Sequence, residues 1–517
     1  MNKSSKNVGI VERLHFKQIK EKRGITLIAL VVTIVVLLIL AGITINMLFS
    51  NGGIFKTAQD AANAWNEATI NEQESINNIA EQIGNLVNEQ VGGGSGTNPE
   101  DPEKIPADGS FSKEKGVNTP DLQDGALTPV KWVEDPAGSG TYTMEETTAE
   151  DPDWYNYGTT AETRKWANAI TSDGSMWVWV PRYAYQIADN YHTNSATGGS
   201  INIEFLKGTT NEGVTGKQIV EYNSSTTSNF TKFPEGYVIH PGFEYSSTAP
   251  GLWVAKFEAS QSDAGANVAN YQNYTGGTSG VIKIQPGVNS WRNIAINDIY
   301  TKCLNYDKDT LKDEKLNSHL MKNTEWGAVT YLAQSSYGKN AEVWINPNSN
   351  FLTGQAGSGP SVGSTTSTSV YNSGNGPQAS TTGNVYGVYD MSGGAYEYTA
   401  AYVANNNVSL SYYGSSLVKG ANYTKDIYSV GVAADSSTDN YTAASNKYGD
   451  DVYETSANGI GSESWYSDYS VFPYSGSPIF RRGGHHGDSS SAGLFFFVGN
   501  NGDANPYYGF RPVLVAL

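Results

Sequence analysis

The sequence predicts an α+β fold: one long N-terminal membrane-type helix, then a single large domain of mixed strands and short helices. Three observations predict it. An uncharged run, ITLIALVVTIVVLLILAGITINMLFS at 25–50, is followed by Ile76, Ile79, Ile83 and Val87 at helical spacing, with no proline between 51 and 90. Beyond about 119, aromatic and β-branched runs read as strands while NSHLMKNTEWGAVTYLAQSSYG (317–338) reads as a helix. Gly is heavily used (56), Tyr outnumbers Phe 33 to 16, and only 16% of residues are charged, which suits a turn-rich domain.

At 517 residues the chain is long enough for more than one structural unit. Its net charge of −18 argues against nucleic acid, which needs a basic surface. Cys303 is the only cysteine, so an internal disulfide framework and a CxxC zinc site are both excluded. Residues 1–24 are basic, with Lys3, Lys6, Arg13, Lys17, Lys20, Lys22 and Arg23 against Glu12 and Glu21. The run that follows exceeds the roughly 20 apolar residues a bilayer crossing needs. The basic flank should stay cytoplasmic, placing the acidic bulk outside.

KRG followed by ITLIALVV resembles a type IV prepilin leader. The resemblance implies cleavage between Gly24 and Ile25, a leader at 1–24, a transmembrane or pilin-like helix at 25–90, and a prepilin peptidase and other pilins as partners. Pilins usually carry Glu at the fifth mature position, and here that position is Ala29. This leaves bulk assembly open and favours a minor, tip or simply anchored role.

VGGGSGTNPEDPEKIPADGS (91–110) opens a flexible linker, taken as 91–118. Within the domain at 119–517, WANAITSDGSMWVWVPRYAY (166–185) reads as a short helix, a turn and an aromatic strand of alternating large residues. GLWVAKFEAS (251–260) reads as another strand. In the 317–338 helix, Asn323 or Thr324 is the expected N-cap, and Trp326, Val329, Leu332 and Ala333 share a face. The Gly/Ser/Thr-rich stretch 351–383 reads as a long surface loop.

GNVYGVYDMSGGAYEYTAAYV (383–403) resembles the signature of formylglycine-generating-enzyme-like domains, a branch of the C-type lectin fold. SMWVWVPRYAY, NTEWGAVTYLA and FRRGG…GFRPVL fall in that family's order, so the resemblance covers about 175–517. It implies core packing for Tyr389, Met391, Tyr396 and Tyr398, a turn at Gly393 and Gly394, and an Arg511 that holds backbone or a carboxylate. The family's enzymes use cysteine thiolates near the C-terminal end with copper, and here no cysteine follows Cys303. Related sulfoxide synthases use a histidine triad, yet no HxxxHxE occurs. His485 and His486 are adjacent and would face opposite sides of a strand. The family's calcium site draws on an Asn and a Glu. Glu397 is retained as a candidate ligand, whereas Gly394 stands in the Asn position. The chain is therefore expected to be a binding protein rather than an enzyme, with no cofactor beyond a calcium ion resting on Glu397.

One subgroup of that branch, the variable proteins of diversity-generating retroelements, has its terminal segment rewritten mainly at AAY codons. Such changes can never produce Lys, Glu, Gln, Met or Trp. None of these five occurs after Trp465, although composition alone would place about eight among the last 52 residues. Binding surfaces also favour Tyr, Ser, Gly and Asn on entropic grounds, so both explanations lead to a recognition surface. The expected variable segment is about 480–512. Its contact candidates are His485, His486, Asp488, Ser489, Ser490, Phe496, Val498, Asn500, Asn501, Asp503, Asn505, Tyr507 and Tyr508. The expected scaffold is Arg482, Gly483, Gly484, Gly493, Leu494, Phe495, Gly509, Phe510 and Arg511. If AGLFFFVGN is a strand, Leu494 and Phe496 share one face and Phe495 and Phe497 the other.

These readings together predict a bacterial receptor or adhesin at the cell surface, held in the membrane, with an extracellular protein or glycan as ligand. Two alternatives stay open: a structural minor pilin or tip subunit with a fixed head, and a degenerate formylglycine-generating-type enzyme.

Overall fold

The structure is a computed structural model describing residues 117–222, 233–265, 279–313 and 315–516. The expected leader with its Gly24–Ile25 cleavage point, the 25–90 helix and nearly all of the linker lie outside these residues. Within them, aromatic and β-branched runs become strands, because such side chains pack well on a pleated surface. A first group comprises β1 (Leu127–Glu134), β2 (Tyr142–Glu146), β3 (Asn168–Thr171), β4 (Met176–Pro181), β5 (Gly251–Ala255) and β6 (Leu316–Leu320). A second comprises β7 (Tyr396–Val403), β8 (Asp426–Tyr428), β9 (Ile460–Gly461), β10 (Ser470–Val471), β11 (Ile479–Arg482), β12 (Phe497–Asn500) and β13 (Tyr508–Phe510).

The last strand, β14 (Pro512–Ala516), returns to the first group and completes a sheet of order β6-β14-β5-β4-β3-β1-β2. The second sheet runs β8-β7-β11-β12-β10-β9, and β13 lies parallel to the N-terminal end of β7. The chain thus leaves one sheet at Phe510 and enters the other at Pro512, with Arg511 at the crossing. A four-stranded sheet built on Tyr183–Ile187 accompanies them.

The expected fold class, α+β with a long N-terminal helix and a C-type-lectin domain, is corrected. The described residues are mostly β-sheet, and none of their helices is long and apolar enough to cross a membrane. One reason is local. WANAIT, read as helical, supplies β3, which pairs with β1 and β4. Every residue of β4 is buried, so MWVWVP is a strand covered on both faces rather than an alternating one.

The two main helices are α1 (Ile296–Leu304) and α2 (Asn323–Ala333). Helix α2 falls where expected, but it is buried all round, Glu325 and Thr330 included. Asn323 and Thr324 lie inside its first turn instead of capping it. The Asn323 amide donates to the Tyr428 hydroxyl at 3.0 Å and its oxygen accepts from Thr399 at 2.8 Å. The start of the helix is held by Glu325, which accepts from the Lys322 amide at 2.9 Å.

The 351–383 stretch is only partly a surface loop. Gln355–Ala356 pairs with Ser369–Val370, and Phe351, Thr353, Ala356 and Ser380 are buried. Asn and Thr side chains fasten it: Asn346 donates to the Leu352 carbonyl at 2.9 Å and Asn348 to Thr368 Oγ1 at 2.9 Å.

Candidate functional site

Strand register decides which residues of the terminal segment face out. Tyr396 pairs with Tyr508, Tyr398 with Arg481, and Glu397 with both Arg482 and Gly509. On the next strand Arg481 pairs with Val498 and Arg482 with Phe497. Side chains alternate along a strand. Glu397, Arg482 and Phe497 therefore share the inner side, and Tyr396, Arg481, Val498 and Tyr508 share the outer one.

The inner side is a closed network. Arg511 donates from Nε to Glu397 Oε2 at 3.1 Å and from Nη2 to Oε1 at 2.6 Å, and it also reaches the Ala255 and Tyr389 carbonyls. This is the role the sequence assigned it. Arg482 donates to the Asp451 carboxylate at 2.6 Å and to the Asp450 and Asp451 carbonyls. Burial, and then the charges of Asp390 and Glu397, push the Glu258 carboxyl well above its usual range.

A calcium ion does not fit Glu397, because Arg511 holds both of its oxygens. Gly394 cannot be restored to Asn either: its φ is +68°, and a Cβ there would lie 2.3 Å from Glu258 Oε1. Among the described residues no group of three or more His, Cys, Asp or Glu is arranged to hold a metal. Cys303 is buried, and burial raises its thiol pKa well above the usual value.

The outer side is aromatic and partly open. Tyr396 stacks on His485 with centroids 4.7 Å apart and lies 5.6 Å from Phe496 and 5.8 Å from Tyr508. His485 meets Tyr507 edge-on at 5.3 Å, and Tyr507, 40% exposed, lies 6.5 Å from His486. Arg481 places its guanidinium 4.1 Å from the Tyr508 ring centre and 4.6 Å from that of Tyr396. His485 Nδ1 and Asp488 Oδ1 are 2.8 Å apart. Burial raises the Asp488 pKa, but the hydrogen bonds and charge of His485 outweigh it and hold the carboxyl below its usual value. Burial, with electrostatic contributions from His485 and Arg292, pushes His486 down to about 4, so it is neutral at pH 7.

The structure brings most of the expected contact residues together. All except Phe496 and Val498 are half-buried or exposed. Phe496 and Val498 are 2% and 7% exposed, yet both line a cavity of about 440 Å³ that opens on this side. Asn500 joins through Tyr508, donating to its hydroxyl at 3.4 Å. Asn501 and Asn505 instead shape the loop, accepting from the Asp503 and Tyr507 amides at 3.2 and 3.0 Å. The Asp503 carbonyl lies 2.9 Å from the Tyr398 hydroxyl. Ser489 donates to the Ser361 carbonyl at 2.7 Å, and Ser490 is exposed beside it.

Three expectations change. Tyr396, read as core, is half-buried at the centre of the outer face, whereas Tyr389, Met391 and Tyr398 are buried as expected. His485 and His486 do not lie on a strand; they follow the Gly483–Gly484 turn with rings 4.9 Å apart on the same side. The alternation drawn across AGLFFFVGN fails because the strand begins only at Phe497.

Sequence reasoning missed four contributors: Arg481, Tyr469, Phe351 and Ser364. Phe351 meets His486 edge-on at 4.5 Å, and Ser364 Oγ lies 2.9 Å from His486 Nδ1. Arg481 was within reach, since adjacent arginines on a strand face opposite ways. No protein-family model matches the chain, and neither does any curated protein.

Proposed function

We propose that this chain is a ligand-binding receptor or adhesin, not an enzyme, whose outer face over residues 485–508 is its recognition surface. In this reading the segment is diversified by a retroelement, as its resemblance to retroelement variable proteins implies. The apolar segment 25–50 would display the domain at the cell surface, with an extracellular protein or glycan as ligand. A prepilin peptidase and other pilins are the partners implied by the leader.

One observation carries the proposal. Most of the contact positions cluster on an accessible aromatic and polar face, while Arg482, Phe510 and Arg511 beneath it are buried, as are Phe496 and Val498. Such a division lets the face change without loss of the fold, because core positions dominate stability and exposed ones rarely matter by more than about 0.5 kcal/mol.

The test is deep sequencing of this gene and its neighbourhood across a grown population. The expected result is variation confined to the codons of the contact residues, with a near-copy of the segment and a reverse transcriptase nearby. Invariant codons and no template copy would overturn diversification and leave a fixed head.

A structural head subunit is the second reading, favoured by a different surface. Val408 and Tyr412 are 74% and 75% exposed beside a cavity of about 340 Å³ lined by Tyr402, Leu410 and Val418. Apolar side chains left open in this way are typical of contacts between subunits.

A further inference from the structure

We propose that the cavity beside Arg481 binds the carboxylate of an acidic sugar. The inference rests on the reading of this face as a ligand surface and names the ligand's chemistry.

Arg481 is 9% exposed. Its Nε is buried with no hydrogen-bond partner, and among the described residues its guanidinium forms no hydrogen bond or ion pair. Arg164, Arg182, Arg292 and Arg482 share the unpartnered Nε, but their terminal nitrogens find acceptors where those of Arg481 do not. Arg482 and Arg511 each have a carboxylate and carbonyls, and Arg164 donates to three carbonyls. Only the Nε is withdrawn from water, where a donor without an acceptor is unfavourable, and the terminal nitrogens are left for the cavity. Stacking on Tyr508 and Tyr396 offsets only part of that, about 0.5–2 kcal/mol for a cation over a ring.

The one carboxylate in the cavity lining cannot serve, because Asp488 is turned to His485. It lies 2.8 Å from the ring Nδ1 and accepts from the His485 amide at 3.0 Å. The free donors of Arg481 therefore suit an acceptor brought by the ligand, and a guanidinium fork matches a carboxylate best.

The remaining walls decide what carries that carboxylate. The cavity, about 440 Å³, is lined by the rings of Tyr396, Tyr469 and Phe496 together with Asp488 and Ser491. Flat aromatic walls suit the C–H face of a pyranose ring. Asp488 and Ser491 can accept from sugar hydroxyls, which an acidic peptide side chain does not offer. Arg481, Tyr396 and Tyr469 are not among the variable positions, while Asp488 and Phe496 are. The acid-binding floor would thus stay constant as the rim changes.

The test is calorimetric titration of the detergent-solubilised full chain with glucuronate, glucose and a glutamate-containing tripeptide. The expected result is that glucuronate binds at least about tenfold tighter than glucose. Arg481→Gln should abolish that preference and Arg481→Lys retain part of it. Tyr469→Ala should weaken both sugars, since Tyr469 is 40% exposed and its loss spares the core. Should Arg481→Gln not fold, the reduced preference of Arg481→Lys is the readout, and an undiminished preference there would overturn the proposal. Equal binding of the two sugars, no binding of glucuronate, or a preference indifferent to Arg481 would overturn the proposal. So would Arg481-dependent binding of the peptide in place of glucuronate. A negative titration alongside codon variation at 485–508 would remove the sugar and leave the recognition face intact.

Discussion

Arg482 points inward from β11 to the Asp451 carboxylate and two carbonyls, whereas Arg481, one residue earlier, points outward between Tyr396 and Tyr508 with no acceptor. The two residues have the same chemistry and the same strand, and only the pleat separates them. Arg482 and Arg511 each meet a carboxylate, because a desolvated charge without a partner is costly. Around Arg481 the matching is left open, and that openness separates a surface built for a partner from a core built for itself.

The largest effect is expected where the inner network is broken. Arg511→Met removes the only side-chain cation on Glu397 among the described residues and should destabilise the domain by about 3–5 kcal/mol in urea unfolding. A loss below about 1 kcal/mol would mean that the crossing between the sheets does not depend on this pair.

Gly394→Ala should follow, at about 1–3 kcal/mol, from two causes acting together. The backbone is left-handed there, and the new Cβ would meet Glu258 Oε1 at 2.3 Å. Gly125 is a useful control, because its φ is +91° but a Cβ there meets nothing within 4 Å. A comparable loss in Gly125→Ala would assign the whole effect to backbone strain.

On the outer side, Arg481→Gln should change stability by no more than about 1 kcal/mol, the worth of a partly open cation–ring contact. A loss as large as that of Arg511→Met would erase the distinction between the two faces.

The smallest expected effect is a slope with pH. His486 in the folded protein titrates at about 4, below the ordinary value of 6.5. Between those two values the unfolded chain holds a proton that the folded chain does not, so stability falls as pH drops through the window. His486→Gln should remove this contribution, giving a flatter stability profile from pH 6.5 to 4 than the wild type. Asp488 works at lower pH: its depressed pKa contributes stability that is present above the ordinary carboxylate range and lost on acidification through its folded value.

The scaffold was largely legible in the chain. RRGG and GFR were read as fixed words, and Gly483, Gly484 and Arg511 occupy the turn and the buried network those words imply. Of the helix read over 317–338 only Asn323–Ala333 is helical, where Trp326, Val329, Leu332 and Ala333 mark it without a proline, and its first residues belong to β6. Its cap was not legible, since Asn323 spends its side chain on Tyr428 and Thr399, residues far away in sequence. The same cause explains the strand at 168–171. WANAIT has no strong local preference, and pairing with β1 and β4 settles its conformation.

The sequence by itself determined the composition of the recognition segment, the position of its fixed words and Arg482 and Arg511 as scaffold. Composition and the order of words are read along the chain, so those features survive without knowledge of the partners. Only the tertiary structure decided that Tyr396 lies on the open face, that Phe351 and Ser364 meet His486, and that Arg481 lacks an acceptor. Those facts depend on residues distant in sequence being brought together, by strand register for Tyr396 and Arg481 and by loop packing for Phe351, Ser364 and His486, and no local pattern encodes either.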